Sequence, residues 1–273
     1  MTQADQILGF VGAGNMATAL IKGLLQSGVY NPDDLLVHDK DEAALKRLQD
    51  SFGTRSCSSN IELVRKSSII LLCIKPQNMG EVLNEIKEEI RESHFVISIA
   101  AGIPLKMISS RIDKDIPIIR VMPNTPALVQ KGVSALAGGQ WVTAQQMAMA
   151  RIIFEAVGTT IEVKEEFMDA VTALSGSGPG YIFRIMESMV EAGKSAGLEA
   201  DTALCLVLET FLGAASLAKE SGRPLAELRE MVTSPGGTTA AGLAVLDGMD
   251  FDMLIRKTVE AAFERSIELG KNY

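Results

Sequence analysis

The chain has 273 residues, with 26 Lys and Arg against 34 Asp and Glu, for a formal net charge of -8. It contains no basic tract that would follow a phosphate backbone, which argues against a nucleic-acid partner. Hydrophobic residues make up 47% and mean hydropathy is +0.19, high for a soluble monomer, so a second subunit is expected to cover part of the apolar helix surface.

Residues 1–5 lack a basic n-region and the apolar run after them is short and glycine-broken, so no signal peptide is expected. That run, Ile7-Leu8-Gly9-Phe10-Val11, leads straight into Gly12-Ala13-Gly14-Asn15-Met16-Ala17. It reads as a buried strand, a tight turn and a helix start. The turn has the G-x-G-x-x-A form: Gly12 permits the bend, Gly14 lets backbone approach a diphosphate, and Ala17 lets the helix sit close on the strand. The helix N-terminus then offers free N–H groups to phosphates. Dinucleotide binding is the favoured reading, with S-adenosylmethionine as the other ligand such a turn accepts.

Short apolar runs then alternate with amphipathic segments, the signature of βαβ units in a parallel sheet. Strands are expected at 35–38, 69–74, 95–100, 116–122, 133–137 and 159–163, with a weak one at 54–57. Helices are expected at 42–51, 79–91 and 144–157. After about Glu166 the strands stop, and 181–196, 201–219, 225–232, 240–246 and 251–269 read as helices. The expected division is a dinucleotide-binding domain at 1–165 and an all-helical domain at 166–273. The most apolar stretch, 201–218, carries Glu209 in its middle and reads as a buried core helix, not a membrane span.

Chemistry-bearing residues cluster at the expected strand ends, where open α/β sheets bind ligands. Asp39 stands where an acid meets the adenine ribose of NAD, while Lys40 beside it would pair with the extra phosphate of NADP; an exposed strand-end pair is a third reading. Lys75 and Pro76 end one strand; Ser98 to Gly102, with Ala100 and Ala101, end the next with small residues. Asn124 and Thr125 lie between two prolines that restrict their loop, and Ser177 is a candidate N-cap of the first long helix.

Ser234-Pro235-Gly236-Gly237-Thr238-Thr239 opens a helix with two glycines and two threonines, which should turn several N–H groups toward one anion, a carboxylate being the natural guest. His38 falls at the adenine end and His94 precedes its strand, so neither is placed as a general base. Reduction of a C=N bond needs none, since an iminium already carries its proton. Lys194 reads as a helix C-terminal charge. Cys57, Cys73 and Cys205 are widely spaced with no C-x-x-C pair. That indicates neither disulfides nor a metal site and fits a reducing, cytoplasmic setting.

Taken together, Gly12-Ala13-Gly14-Asn15-Met16, Lys75-Pro76, Ala100-Ala101-Gly102, Met122-Pro123-Asn124-Thr125-Pro126, the run from Asp169 to Pro179, and Ser234 to Thr239 resemble the pyrroline-5-carboxylate reductase family over nearly the whole chain. The resemblance implies an N-terminal Rossmann-type doubly wound sheet followed by an all-helical dimerisation domain, forming a homodimer or a higher homo-oligomer. It also implies hydride transfer from NADPH or NADH to a cyclic imino acid, 1-pyrroline-5-carboxylate, giving L-proline. By the same resemblance Thr238 and Thr239 meet the substrate carboxylate and the Thr239 hydroxyl reaches the ring nitrogen. Ser234 and Gly237 shape the nest, and Glu165, with Glu166 beside it, matches an acid near the substrate. Cofactor contacts would fall on Gly12, Gly14, Asn15, Met16, Asn60, Lys75, Pro76, Ala100 and Ala101, with Asp39, Lys40 and Asn124 added from their strand-end positions. The family often has serine, threonine or arginine where this chain has His38-Asp39-Lys40, which leaves the cofactor open. A methyltransferase and a non-enzymatic nucleotide sensor are the rival readings on the same scaffold.

Overall fold

The structure, a computed structural model, describes residues 6–271; residues 1–5, on which the expectation of no signal peptide partly rests, lie outside them. The first half alternates β1 (Leu8–Val11), α1 (Asn15–Gln26), β2 (Leu35–His38), α2 (Glu42–Phe52), β3 (Arg55–Ser56), α3 (Asn60–Lys66), β4 (Ile69–Leu72), α4 (Met79–Ile86), β5 (Phe95–Ser98), α5 (Leu105–Ile112), β6 (Ile118–Pro123), β7 (Gly132–Gly138), α6 (Ala144–Glu155) and β8 (Gly158–Glu162). The strands form one sheet in the order β3-β2-β1-β4-β5-β6-β7-β8.

All neighbours pair in parallel except β6 and β7, which run antiparallel with Val121 opposite Leu136. An all-parallel sheet was expected. The correction follows from the connection: between β6 and β7 there is only a loop with one 3-10 turn, Thr125–Val129, too short for the crossover that a parallel return requires.

Strands β1, β4 and β5 are buried along their whole length because helices cover both faces of the sheet, which is why they read as unbroken apolar runs. On one face Leu20, Leu24, Ile153 and Phe154 pack on Leu8, Phe10 and Leu71. On the other, Leu63, Leu83 and Ile108 pack on Val11, Ile70 and Val96. Each such side chain stabilises the fold by about 1.5–3 kcal/mol relative to exposure. Caps fix where the helices start: the Asp41 carboxylate accepts the N–H groups of Ala43 and Ala44 at α2, and Thr143 with Gln146 makes a capping box at α6.

After β8 come a 3-10 turn (Glu165–Phe167), α7 (Met168–Val171) and a π-helical turn (Thr172–Gly176). These stay on the sheet: Met168 is buried with Ala135 and Ala137. The first compact unit therefore runs to Ser177 and includes the chain from Ala262, and the second is Gly178–Ala261. Packing thus groups residues 165–177 and the C-terminal turns of the last helix with the sheet. Ser177 stands immediately before Gly178, where the first long helix begins, and its N–H donates to the Thr172 carbonyl at 2.8 Å, closing the π turn.

The second unit consists of α8 (Gly178–Ser195), α9 (Ala200–Ser221), α10 (Leu225–Met231), α11 (Thr238–Gly248) and the start of α12 (Phe251–Lys271). Lys194 ends α8 paired with Glu191 at 2.9 Å. The expectation of a core helix at 201–218 fails within the single chain. Only Ala203 and Val207 of α9 are buried, while Leu204, Leu206, Leu208, Leu212 and Leu217 are exposed. Among the described residues α9 is the one helix long and apolar enough to cross a membrane, although Glu209 sits near its middle.

Candidate functional site

The chain turns sharply after β1 at Gly12, whose φ of +107° is a conformation L side chains rarely adopt. A Cβ there would also lie 2.6 Å from the Cys73 carbonyl oxygen. Backbone bonds of 2.8 Å from Gly12 N–H to the His38 carbonyl and from Cys73 N–H to the Val11 carbonyl stitch this turn to its neighbours. Gly14 is the N-cap of α1, with no side-chain cap, and a Cβ on it would meet nothing within 4 Å. It borders a cleft of about 300 Å³. An uncapped helix N-terminus beside an open cleft fits a diphosphate, and a side chain at Gly14 would occupy that space.

The cleft lies where β1 separates β2 from β4, at the carboxyl ends of the parallel strands, the switch point of the sheet. Of the residues expected there, Gly12, Gly14, Asp39, Lys40, Asn60 and Lys75 line it. Asn15 is exposed in the first turn of α1, and Met16 packs partly against the core. Pro76 starts a 3-10 turn, while Ala100, buried, and Ala101, half-buried, follow β5; none of these five, Asn15 and Met16 included, borders the cleft itself. Asn124 is committed elsewhere. Its Oδ1 accepts the Val133 N–H at 3.0 Å and its Nδ2 donates to Ser175 at 3.4 Å, so it ties the β6–β7 loop to the π turn.

Side chains at the end of β2 are held firmly. Asp39 accepts the Ala13 N–H on Oδ2 at 2.7 Å and the Asp41 N–H on Oδ1 at 2.9 Å. His38 donates from Nδ1 to the Cys57 carbonyl at 2.9 Å. Lys40 Nζ pairs with Glu81 at 2.8 Å, a residue of α4 that nothing in the sequence marked. Burial pushes the Cys73 thiol up, so it stands as a neutral wall of the cleft.

Glu165 has two partners in the first unit. It accepts the Leu105 N–H at the start of α5 at 2.5 Å and lies 3.6 Å from Arg120. Arg120 was also unmarked in the sequence, and a lone arginine in an apolar strand is the signal that would have found it. It is 5% exposed and lies 3.6 Å from Asp169, whose Oδ1 accepts the Ser266 hydroxyl at 2.7 Å.

In the second unit Gly236, with φ +68°, turns the chain so that Gly237 N–H reaches the Ser234 carbonyl at 2.9 Å. Any side chain at Gly237 would collide with the Ser234 hydroxyl. Gly237 is the N-cap of α11 and supplies no side chain, leaving Thr238 and Thr239 as its first two residues. Their N–H groups therefore sit at a helix N-terminus without a side-chain cap, and the chemistry offered is that of an anion receptor with a hydroxyl beside it.

Residues 165–269 match the model of the pyrroline-5-carboxylate reductase dimerisation domain. Residues 7–102 match that of the coenzyme F420-dependent NADP oxidoreductases. The chain is 42% identical to the pyrroline-5-carboxylate reductase of Methanosarcina acetivorans over 98% of its own length and 99% of that protein's. Among solved structures, the reductase of Coxiella burnetii superposes with a TM-score of 0.91 at 35% identity, covering 97% of this chain and 98% of that one. The Plasmodium falciparum enzyme, solved with NADP bound, superposes with a TM-score of 0.87 at 34% identity, covering 97% and 98%. With its nucleotide-type cleft, its α11 nest and a likeness that spans both units, the chain belongs to the pyrroline-5-carboxylate reductase family.

Proposed function

We propose that the chain reduces 1-pyrroline-5-carboxylate to L-proline with NAD(P)H. The observation that carries this reading is that α1 and α11 both begin on a glycine N-cap, Gly14 and Gly237, with no side chain over the first N–H groups, each suited to one of the two anions the reaction brings together. Relatives sharing the whole length carry the same name, and neither a methyltransferase nor a sensor has any finding in its favour.

A bound NAD(P)H supplies the hydride. Gly12, Gly14 and the start of α1, with Asn15 and Met16, admit and hold its diphosphate. Asp39 and Asn60 would border the ribose end, and Lys75 with Pro76, Ala100 and Ala101 would flank the path toward the nicotinamide. The N–H groups of Thr238 and Thr239 take the substrate carboxylate, in a nest shaped by Ser234 and Gly237. The Thr239 hydroxyl holds the ring nitrogen. The ring enters as the protonated imine, so hydride addition at carbon yields the amine with its proton already in place. No general base is required. The residues therefore act by orientation, which makes the transfer effectively unimolecular. Glu165 enters through its hold on Arg120 and the start of α5. The working form is a homodimer formed through the helical region, in the cytoplasm, where three free thiols stay reduced.

The test follows NAD(P)H absorbance and proline formation with the cyclic imine. Thr239→Ala is expected to lower kcat by about 10²-fold or more while nucleotide Kd and Tm hold. Unchanged turnover in that variant removes Thr239 from the mechanism.

A further inference from the structure

At the ribose end of the cleft two carboxylates and one ammonium meet. The Asp39 carboxylate cannot swing away, because the N–H groups of Ala13 and Asp41 hold one oxygen each at 2.7 and 2.9 Å. Each oxygen keeps a free lone pair, so Asp39 can still accept from ribose hydroxyls. Lys40 is the cation nearest in sequence, and its ammonium sits 2.8 Å from Glu81, with Glu85 adding to the negative field around it. The other cation of the cleft, Lys75, issues from the end of β4, which lies on the far side of β1 from β2. That is two strand spacings, about 10 Å of backbone. His38 directs its Nδ1–H into the Cys57 carbonyl and Asn60 commits one of its two amide N–H groups to Glu85, so neither residue brings a positive charge to a phosphate.

A 2′-phosphate would thus face a fixed carboxylate while the ammonium that would neutralise it is engaged by another. We propose that Glu81 is a specificity-determining residue: by holding Lys40 opposite the immobilised Asp39, it biases the cleft toward NADH over NADPH. The inference rests on the reductase reading of the cleft. Its content is new to that reading, since Glu81 belongs to α4 and not to the strand end where the acid of dinucleotide folds sits.

Equilibrium titrations of the full-length chain with NADH and with NADPH, by calorimetry at low and physiological salt, decide it without reference to turnover. The wild type is expected to bind NADH at least about tenfold tighter. Glu81→Gln releases Lys40 and is expected to tighten NADPH about three- to fivefold, the range an exposed ion pair permits, while NADH moves less than about twofold. Lys40→Ala placed in the Glu81→Gln background is expected to abolish that gain, which a general loosening of α4 would not do. The gain in NADPH affinity is expected to shrink with added salt. Tighter binding of NADPH by the wild type, or an equal shift of both nucleotides in Glu81→Gln, overturns the assignment. Loss of both nucleotides from the wild-type protein would overturn the reductase reading as well. A chain that binds both and makes proline, but whose selectivity ignores Glu81, keeps the reductase reading and loses only this inference.

Discussion

Gly12 and Gly14 sit two positions apart in one turn and are glycine for different reasons. Gly12 serves the fold: its positive φ and the Cys73 carbonyl 2.6 Å from any Cβ make Gly12→Ala cost about 2 kcal/mol, read as a lowered urea midpoint. Gly14 serves the ligand, because its Cβ position is empty. Gly14→Val is expected to change stability by less than about 1 kcal/mol yet to weaken nucleotide binding at least about tenfold; equal effects of the two substitutions on stability would refute the distinction. His94 carries a second expectation. It is 2% exposed, and its Nδ1 accepts the Arg91 N–H at 3.0 Å. Burial, then the charges of Arg91 and Lys114, hold its pKa below the ordinary 6.5. The unfolded chain therefore binds this proton more readily than the folded one. Stability from this residue is complete above about pH 6.5 and is lost as pH falls below it toward the folded value. His94→Gln keeps an acceptor and is expected to flatten the fall in denaturant midpoint between pH 7.5 and 5, measured against the wild type over the same range.

Arg120 gathers four elements onto one buried guanidinium: β6 on which it sits, the start of α5 through Glu165, α7 through Asp169, and the end of α12 through Ser266. Removing the charge leaves two carboxylates unpaired, and because both side chains are about one-third exposed, water offsets part of the loss. Arg120→Met is expected to cost about 2 kcal/mol and to speed hydrogen exchange in 262–271 and 105–108 while the amides of β4 and β5 stay protected. A uniform rise in exchange would mean a general loss of stability and no such clasp. These elements were unevenly legible in the sequence, for physical reasons. Buried strands announced themselves as apolar runs. The short helix α3 was missed, though Ser59 and Glu62 carry its start signal and the Ser59 hydroxyl accepts the Glu62 N–H. The start of α5 has no side-chain cap of its own, because the carboxylate that accepts its first N–H is Glu165, far along the chain. The Lys40–Glu81 pair was illegible for the same reason, since a long-range ion pair leaves no spacing to read.

The excess of apolar residues was visible in the composition, but which surface they would occupy was not. Periodicity marks a stripe that wants burial without saying whether the same chain provides it, so α9 read as a core helix when its stripe is left bare. Leu204, Leu208 and Leu212 recur every fourth residue along one side of α9, and Leu212 is 63% exposed. In a region matching a dimerisation domain, a bare stripe of this kind is expected to be covered by a second copy, and a lasting dimer must bury on the order of 1,200 Å² or more in total. Leu212→Glu places a charge in that contact, where desolvation penalises it. The wild-type chain is then expected to sediment as a dimer or larger with a Tm that rises with concentration. The variant is expected to shift toward monomer with a lower, concentration-independent Tm. Nucleotide affinity, which belongs to the first unit, should survive in the variant. Sedimentation identical to the wild type would place the interface elsewhere on the helical unit, whereas loss of nucleotide binding along with the dimer would show that the glycine-turn cleft depends on the second copy.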